Sequence, residues 1–260
     1  EITCRDWSSD VCSSDLFIRS KETQVVAVCE VDTRRREHAQ KSVVDYYAKQ
    51  TDKGAYKGCD AYTDFRELTA RKDIDGVVIA TPDHWHAIQV IAAADSGKDV
   101  YCEKPLSLTI REAREMVKAV RRNQRILQTG SMQRSSQEFR KACELVRNGR
   151  IGKVQKVIVG VGAPSKWCDL PEEAMEPGLD WDLWLGPAPL RPYNSVLSPR
   201  GVHDHFPNWR NYREYSGGMM TDWGAHHFDI AQWGLGMDDS GPVELIPPEN
   251  PNARTGVRFR

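Results

Sequence analysis

The chain is short of several things that would otherwise define a class. No window approaches the roughly 18 uninterrupted apolar residues that a bilayer-spanning helix needs. Its charges nearly cancel, with 36 Lys and Arg against 37 Asp and Glu and a formal net charge of -1, so neither nucleic acid nor an anionic membrane is an expected partner. The seven cysteines contain no CxxC pair, which argues against a structural zinc site. Cys29, Cys102 and Cys143 fall instead in apolar strand or helix patterns, where a buried free thiol is the ordinary reading and fits a reducing compartment. Finally, no glycine precedes Gly54.

What is present is centred on residues 77–106. Val77-Val78-Ile79-Ala80 and Asp99-Val100-Tyr101-Cys102 are short, β-rich apolar runs of the kind that form buried parallel strands. Between them His84 to Ser96 places Ile88, Val90, Ile91 and Ala94 along one side and ends at Gly97, which predicts a helix with a glycine C-cap. Strand, helix and strand make a βαβ unit, whose ligands bind beyond the carboxyl ends of the strands. The first strand opens into Thr81-Pro82-Asp83-His84-Trp85-His86 and the second into Glu103-Lys104-Pro105, so one rim receives hydroxyl, imidazole, carboxylate and ammonium groups.

Residues 1–16 are Ser/Asp-rich and hold no run that predicts a strand; Asp6 to Leu16 looks like a translated sequencing adapter, and the stretch is set aside as non-native or disordered. Gln24 to Glu30 predicts a buried strand, followed by a helix from about Thr33 to Lys49. An acidic residue at such a strand end is where a dinucleotide fold holds the adenosine ribose: Glu30 is well placed, while Asp32 either makes that contact or caps the helix. The glycines that would let backbone N–H groups approach a pyrophosphate are lacking, so the first strand and glycine loop are expected to be missing. Tyr62 to Thr69 predicts a short helix, Leu108 to Val120 a strong one opened by Thr109, and Ile126 to Gln128 a last strand. The alternation argues a doubly wound parallel α/β sheet over residues 17–130.

After Ser131 the pattern changes. A helix from Ser136 to Arg147, a long half-exposed strand over Lys153 to Val161, a Pro- and Trp-rich loop to Pro192 and a helix starting near Asp222 make up residues 131–260, an unfinished second domain. Asp222 and His226 would be i, i+4 neighbours on one helix face, with the carboxylate orienting the imidazole as a general base. Lys104 at a strand end could hold a substrate hydroxyl or stabilise its alkoxide; the competing reading is a surface ion pair with Glu103. The flat faces of Trp181 and Trp184 suit stacking on a sugar or nicotinamide. Metal ligation by these histidines and acids would have to recruit His203 and His205 from a distant loop, and no metal is expected.

Three segments, TPDHWHA at 81–87, YCEKPLS at 101–107 and GGMMTDWGAHHFDIAQW at 217–233, together resemble the Gfo/Idh/MocA family, named for glucose-fructose oxidoreductase, inositol dehydrogenase and rhizopine catabolism. The resemblance implies a Rossmann domain for NAD(P) and a C-terminal α/β domain whose open sheet commonly makes a homo-oligomer interface. It implies Lys104, Asp222 and His226 as catalytic groups, with Trp181 and His227 added on the substrate side. Glu30, Asp32, Thr81, Pro82, His86, Glu103 and Lys104 would face the cofactor. The expected activity is hydride transfer between the nicotinamide and a sugar or cyclitol hydroxyl. Two alternatives stand beside it: an NAD-dependent glycoside hydrolase of the N-acetylgalactosaminidase type, and a non-catalytic ligand-binding protein on the same fold. The charge of Glu30 disfavours a 2'-phosphate and so favours NAD, while Arg34 to Arg36 keep NADP open. Localisation is not readable from what remains of the N-terminus, and the cytoplasm is the default.

Overall fold

The computed structural model describes residues 2–5, 17–50, 56–203, 206–249 and 258–259. They fall into two compact units, Glu1–Ser131 with Gly162–Ala225, and Met132–Val161 with His226–Arg260. Residues 162–225, which the change of pattern near Ser131 assigns to a second domain, thus cluster with the first. The cause is a Trp- and Tyr-rich core of their own, described below, built against the first unit's strand ends.

In the first unit six strands form one parallel sheet: β1 (Ile2–Arg5), β2 (Ala27–Cys29), β3 (Asp60–Tyr62), β4 (Gly76–Ala80), β5 (Asp99–Cys102) and β6 (Leu127–Thr129). Their order, β3-β2-β1-β4-β5-β6, reverses direction between β1 and β4 as in a dinucleotide-binding sheet. The expected loss of the first strand is corrected: Ile2 pairs with Ala27 and Val77, and Cys4 with Cys29 and Ile79. β2 and β4 each present a row of backbone donors and acceptors towards the other, and four extended residues suffice to satisfy both whatever composition follows. The adapter-like residues 6–16 lie outside the described residues, and 17–19 are helical. β3 was not expected either. Asp60–Tyr62 is polar and exposed, an edge strand whose register comes from Ala27 and Cys29 rather than from its own hydrophobic pattern.

The connecting helices are α1 (Thr33–Ala48), α2 (Phe65–Thr69), α3 (Asp83–Asp95) and α4 (Ile110–Arg122). Asp32 caps α1 through Arg35 N, Asp64 caps α2 through Arg66 N, and Thr109 with Glu112 makes a reciprocal capping box on α4. One core cluster joins Ile79, Val77 and Val100 of the sheet to Ala87, Val90 and Ala93 of α3 and Met116 of α4; on the other face Val28 meets Ala39, Val43 and Tyr47 of α1.

Residues 163–217 add a third cluster around α6 (Trp181–Leu185): Trp181 and Trp184 stack at 4.6 Å, and Tyr193, Leu197, Trp209, Tyr212 and Tyr215 close around them. This segment is fastened to the strand ends. Thr33 N donates to Gly178 O, Asp180 N to Val31 O, and the Trp85 indole to Trp184 O. Glycine is required at Gly186, where a Cβ would lie 2.0 Å from the Trp85 ring. The segment leads into α7 (Met219–Asp222).

In the second unit Ser136 caps α5 (Gln137–Arg147), and α8 (Gly224–Leu235) crosses the unit boundary between Ala225 and His226. Arg134 binds Asp229 of α8 through two bonds of 2.7 and 2.8 Å and reaches Asp238 at 2.7 Å. The long strand expected over 153–161 does not form. A strand is held by its ladder, and among the described residues of this unit only the two-residue β7 (Leu245–Ile246) and β8 (Arg258–Phe259) pair, with each other. No helix among the described residues is long and apolar enough to cross a membrane.

Ile79 is fully buried and Ile110 is 85% exposed. Ile79→Ala should cost about 2–5 kcal/mol of unfolding free energy by urea titration, and Ile110→Ala less than about 0.5.

Candidate functional site

Three strand ends converge on the rim. β2 ends at Glu30, a buried residue whose carboxylate accepts from Asp32 N at 2.9 Å. Asp32 itself is wholly buried and spends one oxygen on the cap of α1, so of its two readings the geometry carries capping. The three neighbouring arginines are all engaged. Arg36 donates to Glu30 O and Thr33 Oγ1, Arg35 is buried and bound to Gly201 O, Pro199 O and Ser198 Oγ, and Arg34 reaches Glu176 at 3.5 Å.

β4 ends at Thr81 and Pro82. Glu30, Thr81 and Pro82, with Thr63, Trp85 and Trp184, are among the residues lining a cleft. An acidic group at the end of β2, a hydroxyl and proline at the end of β4, and flat apolar walls match the donor and surface chemistry of an adenosine moiety. The loop that would meet a pyrophosphate falls in residues 6–16, outside the described residues and without a glycine.

His86 does not face that cleft. Its ring is buried, with Nδ1 at 2.8 Å from Pro105 O and Nε2 at 2.7 Å from Thr81 O. Burial lowers its pKa to about 4, so the ring is neutral and donates to one of these carbonyls at a time. The cofactor-lining role expected of it is therefore corrected: His86 ties the loop after β4 to the loop after β5. Its α3 neighbour His84, likewise lowered to about 4 by burial, bonds Trp184 O.

β5 delivers Glu103 and Lys104. The Glu103 side chain is buried and lies over Gly130, where a Cβ would come within 2.6 Å of Oε2. Lys104 is not paired with Glu103 at the surface. Its Nζ donates to Asp222 Oδ1 at 2.7 Å, and the two side chains are only 17% and 11% exposed. Arg210 Nε lies 3.9 Å from the same Asp222 oxygen, and its guanidinium stacks on Trp209 at 4.2 Å.

Two groups of this cluster were given no role in the sequence. Arg210 follows Trp209 in a short 3-10 turn over Asn208–Asn211, and Asp83 lies inside the TPDHWHA run as the first residue of α3. Asp83 is buried and accepts from Ser216 Oγ at 2.6 Å. Burial pushes its carboxyl up to about 7, against the lowering effect of Ser216, Arg210 and Lys104. The only signal for Asp83 was its place at a strand end; Arg210 had none, because its role depends on a tertiary contact.

The single helix expected to carry Asp222 and His226 is also corrected. Asp222 is the last residue of α7, Trp223 intervenes, and His226 is the third residue of α8 in the second unit. Gly224 follows Trp223 and weakens the helix at that step, and Asp222 turns its carboxylate to Lys104. In the second unit His226 is buried, and His227 Nδ1 lies 2.8 Å from Gly160 O. Trp181 is 6% exposed, with its indole donating to Arg191 O at 2.8 Å, so it serves as core and not as the stacking face expected of it.

Comparison with known proteins agrees with this geometry. Residues 13–131 match the family model described as oxidoreductase family, NAD-binding Rossmann fold, and residues 135–255 match its companion, described as oxidoreductase family, C-terminal alpha/beta domain. A 2,7-anhydro-N-acetylneuraminate hydratase of Mediterraneibacter gnavus is 38% identical over 96 residues, covering 37% of this chain and 26% of the relative. A myo-inositol 2-dehydrogenase of Thermotoga maritima is 28% identical over 176 residues, covering 68% of this chain and 40% of the relative. The chain thus spans well under half the length of these curated relatives. In fold it is similar to the crystal structure of an oxidoreductase domain protein from Kribbella flavida, with a TM-score of 0.56, 23% identity, and 90% of this chain and 53% of that one covered.

Gly130→Ala should push the Glu103 carboxylate off its seat and cost about 1–3 kcal/mol in a denaturant titration. Gly241→Ala, where a Cβ meets nothing within 4 Å, is the control and should change stability little.

Proposed function

Because the chain belongs to the Gfo/Idh/MocA oxidoreductase family, with its NAD-binding Rossmann fold, we propose that it carries the cofactor cleft and part of the reaction site of an NAD-dependent oxidoreductase acting on a sugar or cyclitol hydroxyl. The observation that carries the reading is the buried Lys104–Asp222 pair at the carboxyl end of β5, in the sheet whose β2 and β4 ends line the cleft. Glu30 is the group for the adenosine ribose, and Thr81, Pro82 and Glu103 complete the cofactor side. The bound nicotinamide supplies hydride acceptance or donation.

The remaining chemistry belongs to side chains. Lys104 is a cation in a recess with little water, able to hold a hydroxyl oxygen and to stabilise the negative charge that grows on it as its proton leaves. Asp222 orients that ammonium. His226 is the candidate to take the proton, and His227 a candidate for a second substrate contact. Coenzyme choice falls to NAD: Glu30 would repel a 2'-phosphate, and Arg34, Arg35 and Arg36 already have partners. A homo-oligomer formed through the second domain accompanies this reading.

The hydratase among the relatives favours a second reading, in which NAD held by the same cleft residues would serve as both hydride acceptor and hydride donor within one turnover, so that elimination or addition at a sugar proceeds without net NADH. Both readings use Lys104.

The test is calorimetric titration of NAD and NADP into the protein, followed by turnover of a polyol and anhydrosugar panel read by NADH absorbance and by product analysis. NAD should bind more tightly than NADP, and Glu30→Gln should narrow the difference. Lys104→Met should lower kcat by about 10²–10³-fold with cofactor affinity little changed. Product without net NADH selects the second reading. Failure to bind either dinucleotide overturns both.

A further inference from the structure

The buried carboxyl of Asp83 has no part in the chemistry assigned so far, yet it is bonded to the segment that carries Asp222. We propose that Asp83 is a positioning residue of the Lys104–Asp222 site, holding that segment through Ser216 and setting the charge felt by the Lys104 ammonium. The proposal deepens, and rests on, the reading of that pair as the hydroxyl-handling end of the site.

The mechanical half of the argument is the seating of residues 216–222. Ser216 donates to Asp83 Oδ2 at 2.6 Å, and the side chains at both ends of this bond are buried. Directly after it, Gly218 has φ +72, and a Cβ there would sit 2.3 Å from Ser165 N; a Cβ on Gly217 would sit 2.3 Å from Thr221. Asp222 N then donates to Gly218 O at 3.0 Å. With so little room for the chain to shift, a displacement at Ser216 is passed to Asp222, which Lys104 grips at 2.7 Å. Asp83 anchors the other end as the first residue of α3, in the strand-end loop of β4.

The electrostatic half follows from the groups around the carboxyl. Lys104 after β5, Arg210 beside Trp209, Asp222 of α7 and Ser216 all act on Asp83; the Cys102 thiol on β5 is raised first by burial, then by Glu103 and last by Asp83, and His84 and His86 follow Asp83 on its own helix. Both histidines are neutral near pH 7, their pKa values lowered to about 4. The charged groups that act on Asp83 are therefore Lys104, Arg210 and Asp222, with the buried Glu103 carboxyl beside Lys104. With Asp83 neutral the cluster carries one more positive charge than with Asp83 ionised, which favours a developing alkoxide. With Asp83 ionised that advantage falls. A carboxyl that titrates near neutrality, as burial makes this one, lets the site pass between the two states over an ordinary pH range.

The test reads Lys104 directly and needs no substrate. In protein carrying ¹⁵N-labelled lysine, with the Lys104 ammonium assigned through Lys104→Arg, its resonance is followed as pH rises through about 7. An inflection near that value is expected in the wild type, absent in Asp83→Asn and unchanged in Asp95→Asn, which alters an exposed acid on the same helix. Ser216→Ala removes a bond that favours the ionised carboxyl, so its inflection should move upward; that variant decides the matter if Asp83→Asn does not fold. An inflection that survives Asp83→Asn, is missing from the wild type, or ignores Ser216→Ala overturns the proposal. In turnover, Asp83→Asn should flatten the pH dependence of kcat near neutrality with KM little changed, and Asp83→Glu should restore it in part. A coupled Lys104 in a protein that turns over no polyol would instead refute the oxidoreductase reading and leave the coupling intact.

Discussion

Burying most of a lysine side chain is costly unless its ammonium is given a counter-charge, and for Lys104, with 17% of its side chain exposed, that charge is Asp222. The pair joins residues 118 positions apart. It therefore forms only if β5 places Lys104 at the rim and the segment after residue 162 returns to the same unit with Asp222 at its end. Most of the other contacts near the rim serve one of those conditions. His86 holds the loop after β5 to the loop after β4, the Glu103 carboxylate is seated on Gly130, and Ser216 fastens the returning segment to Asp83. Removing either member of the pair would leave the other buried and uncompensated, which costs more than the pair itself contributes.

The returning segment is long and has little regular structure, and its stability comes from aromatic burial. Trp181, Trp184, Trp209, Tyr193, Tyr212 and Tyr215 are each under a tenth exposed, and Trp181, Trp184, Tyr193 and Tyr215 pack as stacked or edge-to-face rings. Large flat side chains give much apolar burial for few ordered torsions, and that offsets the entropy of fixing a loop. Two of the polar tips find backbone partners, Trp181 donating to Arg191 O and Tyr193 to Ser198 O. This explains why the tryptophan density of the second half marks a core more than a sugar platform.

The parts of the fold legible in the sequence were those with strong local patterns. The β4–α3–β5 unit, the capped helices α4 and α5 and the rim residues Glu30, Thr81, Glu103 and Lys104 all lie within a residue or two of where periodicity and turn chemistry put them. What was not legible depends on partners distant in the chain. β1 and β3 owe their strand state to the neighbours they pair with, and residues 153–161 alternate as a strand should yet find no ladder among the described residues. Asp83, Arg210 and Ser216 matter because three separate segments meet, which no window of sequence displays.

The charge count of the site imposes a last constraint. Two cations and two carboxyls share a region where all four are largely removed from water, so the cost of keeping every one ionised is high. Arg210 cannot lose its proton, and Lys104 and Asp222 hold each other's charge at hydrogen-bond distance. The group left to adjust is Asp83, which faces a neutral hydroxyl instead of a cation at hydrogen-bond distance and has its ionisation pushed up to about 7. Among these four groups the response to pH is concentrated in the carboxyl whose direct partner is uncharged.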